Sequence, residues 1–231
     1  MLSRSVLFDI VHASANSVIV YARDTNIRRA NRYVTALHQQ LNESGHDWFL
    51  NSVPSYNSVL VSYDWVKIDS HGVVRAINNI DLMMTDDSPS TVHNIAVWYG
   101  AKGASDLAAV CAHTGLSENQ VIEAHCQLDY RVYAVGFMPG FAYLGELPSS
   151  LSMPRMAKPR LKVPKGAVAI ADRQTAVYPN VSPGGWHLLG LSPDLMLDQQ
   201  SGLSRLAVGD LVHFEPIDEK RYFQELAKHD K

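Results

Sequence analysis

The residue types that could do chemistry concentrate between Arg131 and Gly190. Gly136-Phe137-Met138-Pro139-Gly140-Phe141-Ala142-Tyr143-Leu144-Gly145 interleaves three aromatics with three glycines and a proline. Glycine lets backbone approach a ligand closely, and Phe137, Phe141 and Tyr143 would supply apolar walls, which suits a small-molecule pocket. The same composition suits a tight loop plugged by its own rings. From Met153 to Gly166 a proline stands at every fifth position, Pro154, Pro159 and Pro164, which favours an extended strap. Arg155, Lys158, Arg160, Lys162 and Lys165 make the strap basic, and no acid lies between Glu146 and Asp172. Arginine offers a planar fork for carboxylate or phosphate, so the strap reads as an anion site at a pocket mouth or as a solvated basic loop. Gln174, Thr175 and Tyr178 could hydrogen-bond a lactam or carboxylate. Gly184 and Gly185 could present N–H groups as an anion nest, or simply turn the chain with Trp186 as core. No nucleophile stands beside an evident base. His125 and His187 could carry protons, although a lone histidine is more often structural, and no catalytic residue is assigned.

Other constellations weigh less. Cys111-x-His113 and His125-Cys126 could in principle supply four zinc ligands. Adjacent helical residues point about 100° apart, so His125 and Cys126 do not easily face one metal. Two helices packing core Cys and His is the preferred reading, and no metal is expected. Between Ala104 and Cys126 the chain carries Asp106, Glu118 and Glu123 and no Lys or Arg, so a helical hairpin there would repel phosphate. No Lys follows a Gly, and Gly-x-Gly, Gly-x-Ser-x-Gly and His-Glu-x-x-His are absent. If the chain works on ATP it does not hold it by a standard cradle, and these absences favour one subunit of a larger machine.

The elements that must position these residues follow from composition and periodicity. The chain has 231 residues, 46% hydrophobic and 19% charged, which excludes a mainly disordered polymer. Its 20 Lys+Arg against 23 Asp+Glu give a formal net charge of -3, so general nucleic-acid binding is not expected. No stretch is apolar for long enough to span a membrane, the start has no long apolar signal region, and two cysteines make no disulfide scaffold. A cytoplasmic protein is the expectation. Residues 1–90 read as a small α/β domain. A strand covers Ser17 to Ala22, and a helix after Asn26 puts Ala30, Tyr33, Val34, Leu37 and Leu41 on one face. Strands follow over Asp47 to Val53 and Asn57 to Trp65 with Pro54 turning between them, then a helix over Arg75 to Met84. Asp86 to Ser90 is the expected boundary. Residues 91–231 begin with a strand, Val92 to Tyr99. A helical hairpin follows, capped at Ser105 and by a Ser117/Gln120 box. Short strands such as Arg131 to Val135, Ala167 to Ala171, Trp186 to Leu191 and Leu211 to Phe214 then point to a β-barrel or sandwich.

Several motifs occur together in a recognisable order. Tyr130-Arg131-Val132-Tyr133, the Gly136 to Gly145 stretch, Pro154-Arg155, Pro159-Arg160, Val163-Pro164-x-Gly166, Gln174-Thr175-x-x-Tyr178-Pro179 and Ser182-Pro183-Gly184-Gly185-Trp186 resemble the family of the 5-oxoprolinase B subunit. That family is also called allophanate hydrolase subunit 1 and includes a sporulation-kinase inhibitor. The resemblance implies an α+β fold, a small α/β N-terminal domain followed by a cyclophilin-like β-barrel domain. It implies two partners, a homologous C subunit that supplies a second barrel and an A subunit. Such complexes open 5-oxoproline to glutamate at the expense of ATP, which belongs to the complex rather than certainly to this chain. By the same resemblance Arg155, Arg160, Gln174, Thr175, Tyr178, Gly184 and Gly185 are substrate-side residues, with Phe137, Phe141 and Tyr143 as pocket walls. Two departures stand out: Tyr99-Gly100-Ala101-Lys102 replaces the usual Tyr-Gly-Gly-Glu, and Asp172-Arg173 replaces a Gly-Gly. Two other roles stay open, a carboxyltransferase-like subunit for urea or allophanate, and a protein that docks on a histidine kinase.

Overall fold

The computed structural model describes residues 7–82, 91–198 and 200–228. The chain divides into two compact units, Met1–Pro89 and Ser90–Lys231. The segment expected as a boundary, Asp86 to Ser90, lies outside the described residues.

The first unit is an antiparallel sheet, β1 (Phe8–Ser14), β2 (Ser17–Ala22), β3 (Phe49–Ser55) and β4 (Ser58–Tyr63), in the order β1-β2-β4-β3. Alternation buries Val18 and Val20 of β2 and Val59, Val61 and Tyr63 of β4 on one face. Helix α1 (Ile27–Glu43) covers that face with Ala30, Val34, Leu37 and Leu41, and Asn26 caps it by accepting from Arg29 N–H. Helix α2 (Ser70–Asn79) begins five residues before the expected Arg75 and is capped by Asp69, whose carboxylate accepts from Gly72 N–H. The capping carboxylate sets the start; Met84, the expected end, is outside the described residues. Strand β1 adds an edge strand to the elements expected from the sequence. Pro54 does not turn the chain. It lies inside β3 opposite Val59, and the turn falls at Tyr56-Asn57. The edge position of β3 explains the tolerance, since an edge strand has an N–H row that needs no partner.

In the second unit, seven of the described strands close a barrel in the order β10-β7-β6-β13-β5-β12-β9. They are β5 (Val92–Tyr99), β6 (Tyr130–Val135), β7 (Ala142–Gly145), β9 (Ala167–Ala171), β10 (Gln174–Val177), β12 (His187–Leu191) and β13 (Leu211–Pro216). The fold class is therefore α+β with a barrel domain, as expected. A separate ribbon pairs β8 (Arg160–Val163) with β11 (Ser182–Gly184). Helix α3 (Leu107–Thr114) ends at Gly115 in the left-handed conformation, and α4 (Glu118–Cys126) begins with the expected Ser117/Gln120 box. Ser105 accepts from Leu107 N–H at 3.2 Å, but the cap residue of α3 is Asp106, whose carboxylate turns elsewhere. Helix α5 (Glu219–Leu226) follows β13.

The barrel wall is buried on both sides. In β9, Val168 and Ile170 join the barrel core with Tyr130, Leu144, Leu189 and Phe214, and α3 and α4 add Leu107, Val110 and Val121. Ala167, Ala169 and Ala171 face the other way into a second cluster with Phe141, Val163, Tyr178 and Trp186. A strand covered on two faces reads as a continuous apolar run, which is what Ala167 to Ala171 is.

Candidate functional site

The second cluster is the aromatic face outside the barrel wall. Phe141 is its hub: its ring centroid lies 4.9 Å from Tyr143, 5.2 Å from Tyr178, 5.4 Å from Phe137 and 5.9 Å from Trp186, all edge-on. Each such pair contributes about 0.5–1.5 kcal/mol beyond area burial, so the face is rigid. Phe137 is the exception in exposure, at 64%, and it holds φ +71 without being glycine. A left-handed conformation in an L residue costs about 1–2 kcal/mol, so the loop maintains an exposed ring against its backbone preference. Phe141 plugs the loop with its own ring, while Phe137 and Tyr143 edge a surface.

The basic strap runs over this face. Arg155 sits with its guanidinium 5.7 Å from the Trp186 ring centroid, and its Nε is 3.8 Å from Asp172. Arg160 is bonded to the Asp106 carboxylate and donates from Nη1 to the Trp186 carbonyl at 3.3 Å and the Met156 sulfur at 2.8 Å. Tyr178 is buried, and burial raises its phenol pKa while Arg155 pulls it back down. Among the described residues its hydroxyl has no hydrogen-bond partner. Gly184 is glycine for a packing reason: an added Cβ would overlap that hydroxyl and stand 2.9 Å from Val163 Cγ2. Gly184 pairs with Arg160 across the ribbon, and neither it nor Gly185 has positive φ, which favours the turn reading of the pair over the nest. Gly185 instead accepts from Met156 N–H at 2.7 Å. Asp172, which stands where a glycine was expected, adopts φ +52 in the turn from β9 to β10, and Arg173 beside it meets Glu146 at 3.2 Å.

Strand parity separates Gln174 from Thr175. Gln174 shares the outer side of β10 with Ala176 and Tyr178. Thr175 points inward, is fully buried, and is a core group rather than a surface donor. Its hydroxyl donates to the Ala169 carbonyl at 3.1 Å and therefore accepts from His125 Nε2 at 2.9 Å. That assigns the proton to Nε2, so Nδ1 accepts from the Tyr99 hydroxyl at 2.6 Å. Tyr99 Oη in turn lies 3.3 Å from Cys126 Sγ. Burial drives the His125 pKa down to about 3 and holds Tyr99 and Cys126 protonated by raising theirs. The relay is neutral and saturated. His187 donates from Nε2 to the Pro154 carbonyl at 3.1 Å, and its buried Nδ1 has no partner among the described residues. No group of three or more His, Cys, Asp and Glu among the described residues is placed to hold a metal, and no described helix is long and apolar enough to cross a membrane. The residue that sequence reasoning missed is Asp106, separated from Arg160 by 54 positions, with nothing local to mark it.

Residues 8–204 match the family model of the carboxyltransferase domain, subdomain C and D. The chain is 30% identical over 231 residues to the 5-oxoprolinase B subunit of Bacillus subtilis (strain 168), covering 94% of this chain and 96% of that one. It is 49% identical over 126 residues to the 5-oxoprolinase B subunit of Escherichia coli O157:H7, where the match spans 54% of this chain and 58% of the relative. The crystal structure of TTHA0988 superposes with a TM-score of 0.77 at 33% identity, over 87% of this chain and 40% of that chain. Urea carboxylase of Kluyveromyces lactis gives a TM-score of 0.78 at 13% identity, over 96% of this chain and 23% of that chain, a likeness of fold alone. The chain thus spans less than half the length of either solved structure.

Proposed function

Because the chain belongs to the carboxyltransferase-domain family, subdomains C and D, and within it to the family of the 5-oxoprolinase B subunit, we propose that it is the B subunit of an ATP-dependent 5-oxoprolinase. In this reading it acts with a homologous C subunit plus an A subunit to open 5-oxoproline to glutamate. The observation that carries the proposal is the full-length similarity to the B. subtilis protein. The aromatic face supports it chemically. A lactam is a poor electrophile, and ATP at the level of the complex supplies its activation. This chain's part is to bind and orient. Phe137, Tyr143 and Trp186 offer an apolar wall for the ring, Arg155 a cation for the carboxylate, and Tyr178 a free hydroxyl for a polar edge. Gln174 and the Gly184–Gly185 backbone flank this surface, while Arg160 and Thr175 brace it from within.

The test is glutamate release from 5-oxoproline and ATP by the chain alone and after co-expression with the A and C subunits. Activity only in the assembled mixture is the expected result. Absence of activity in a demonstrably assembled mixture refutes the proposal.

A further inference from the structure

In the sequence Asp106 is only an acid near a helix start. In the fold its carboxylate and its own N–H are both turned to the aromatic face, while its carbonyl accepts Val110 N–H in α3. Its Oδ1 receives Arg160 Nη2, its Oδ2 accepts Leu188 N–H at 2.7 Å, and its own N–H donates to the Leu188 carbonyl at 2.6 Å. Asp106 therefore pins β12 by two backbone bonds while it holds a guanidinium that also supports the Trp186 carbonyl. The two side chains are 17% and 27% exposed. Such a pair is neutral as a unit. Drawing Arg160 towards another anion would leave a part-buried carboxylate unpaired, which is costly.

Arg155 is held differently. Its side chain is 59% exposed, and Asp172, the acid it meets, is 61% exposed. A contact of 3.8 Å between exposed groups is worth little and is screened by salt. An incoming anion displaces it easily, while the Trp186 ring keeps the guanidinium over the aromatic face.

We infer that Asp106 is a positioning residue that holds Arg160 as a neutral strut beneath Trp186, so that Arg155 is the cation receiving a carboxylate-bearing substrate. The strut stands on geometry alone; the identity of the substrate rests on the function proposed above.

The strut is tested by labelling the full chain with phenylglyoxal, an arginine-selective reagent, and reading each peptide by mass spectrometry. Arg155 reacts about fivefold or more faster than Arg160, because Arg160 is both less exposed and held by the Asp106 carboxylate and the Trp186 carbonyl. Asp106→Asn brings Arg160 close to the rate of Arg155, while the buried Arg131, 8% exposed, stays unlabelled and so reports that the variant is folded. Equal labelling of Arg155 and Arg160 in the native chain overturns the strut. In the assembled complex, Arg155→Ala raises the KM for 5-oxoproline about tenfold and changes kcat less than about threefold, the pattern of lost binding. Asp106→Asn, Arg160→Gln and the double variant have similar effects, because the two residues act as one unit. If Arg160→Gln raises KM further in the Asp106→Asn background, or Arg155→Ala leaves KM unchanged, the inference is wrong. If the complex turns over no 5-oxoproline at all, the proposed function fails instead, and the labelling still decides the strut.

Discussion

Acidification is the sharpest probe of the buried relay, because its central histidine cannot take a proton in place. His125 is fully buried, bonded on both ring nitrogens, and packed 4.5 Å from Phe214 and 5.5 Å from Tyr130 between ring centroids. Its pKa falls from the ordinary 6.5 to about 3 because burial disfavours the imidazolium. The unfolded chain binds a proton near pH 6.5 and the folded chain does not until about pH 3. Unfolded protein therefore holds more protons between those values, and stability falls as pH drops through that window. Each unit of difference corresponds to about 1.4 kcal/mol, so the whole window carries about 5 kcal/mol and about 2 kcal/mol is gone by pH 5. The assay is urea unfolding at pH 7.5, 6 and 5, followed by the fluorescence of Trp98 and Trp186 in a Trp48→Phe, Trp65→Phe background. The comparison is His125→Phe in the same background. That variant is less stable at pH 7.5 by about 1–3 kcal/mol, since the Tyr99 hydroxyl loses its acceptor. Its curve against pH is nevertheless flatter by about 2 kcal/mol between pH 7.5 and 5. Subtracting the two curves removes the other histidines. Parallel curves would show that His125 titrates alike in both states, and the account of the relay would be wrong.

Three substitutions test the packing around the site. Gly190→Ala puts a Cβ onto the Trp98 carbonyl oxygen and 2.8 Å from Tyr99 Cα, both backbone, so the β12–β5 seam must open; a loss of about 3 kcal/mol or more, seen as a collapsed urea midpoint or insoluble protein, is expected. Gly184→Ala displaces the Tyr178 hydroxyl and presses on the buried Val163, so we expect a loss of about 1–3 kcal/mol in urea unfolding and about tenfold lower kcat/KM in the assembled complex. An unaffected kcat/KM would remove Tyr178 from the site. Asp172→Gly relieves a left-handed non-glycine turn at φ +52 and removes only an exposed ion pair, so the melting temperature should rise by about 2–4 °C. A fall on calorimetry would mean that the Asp172–Arg155 contact matters more than its exposure suggests.

Much of the fold was legible because its signals are local. The face of α1 is a 3.6-residue repeat, the Ser117/Gln120 box is a three-residue motif, and Ala167 to Ala171 is an uninterrupted apolar run. Each is decided by neighbours in sequence. The misplacements have the same origin. Pro54 looks like a breaker, and only the edge position of β3 makes it a strand residue. The start of α2 is set by Asp69, whose carboxylate accepts Gly72 N–H, and not at Arg75.

For the candidate site, residue types and their order determined that aromatic rings, a basic strap and hydrogen-bonding groups would come together, and they identified the family. Which of those groups face outward was decided by tertiary structure. Alternation along β10 sends Gln174 outward and Thr175 into the barrel, a difference of one position that composition cannot see. Arg155 and Arg160 are equivalent in the sequence, each following a proline in the same basic strap. They differ in the fold because Asp106, 54 positions away from Arg160, reaches one of them and not the other. Charge neutralisation acts through space over a few ångströms, so it depends on where the chain returns to itself and not on what lies beside a residue along it.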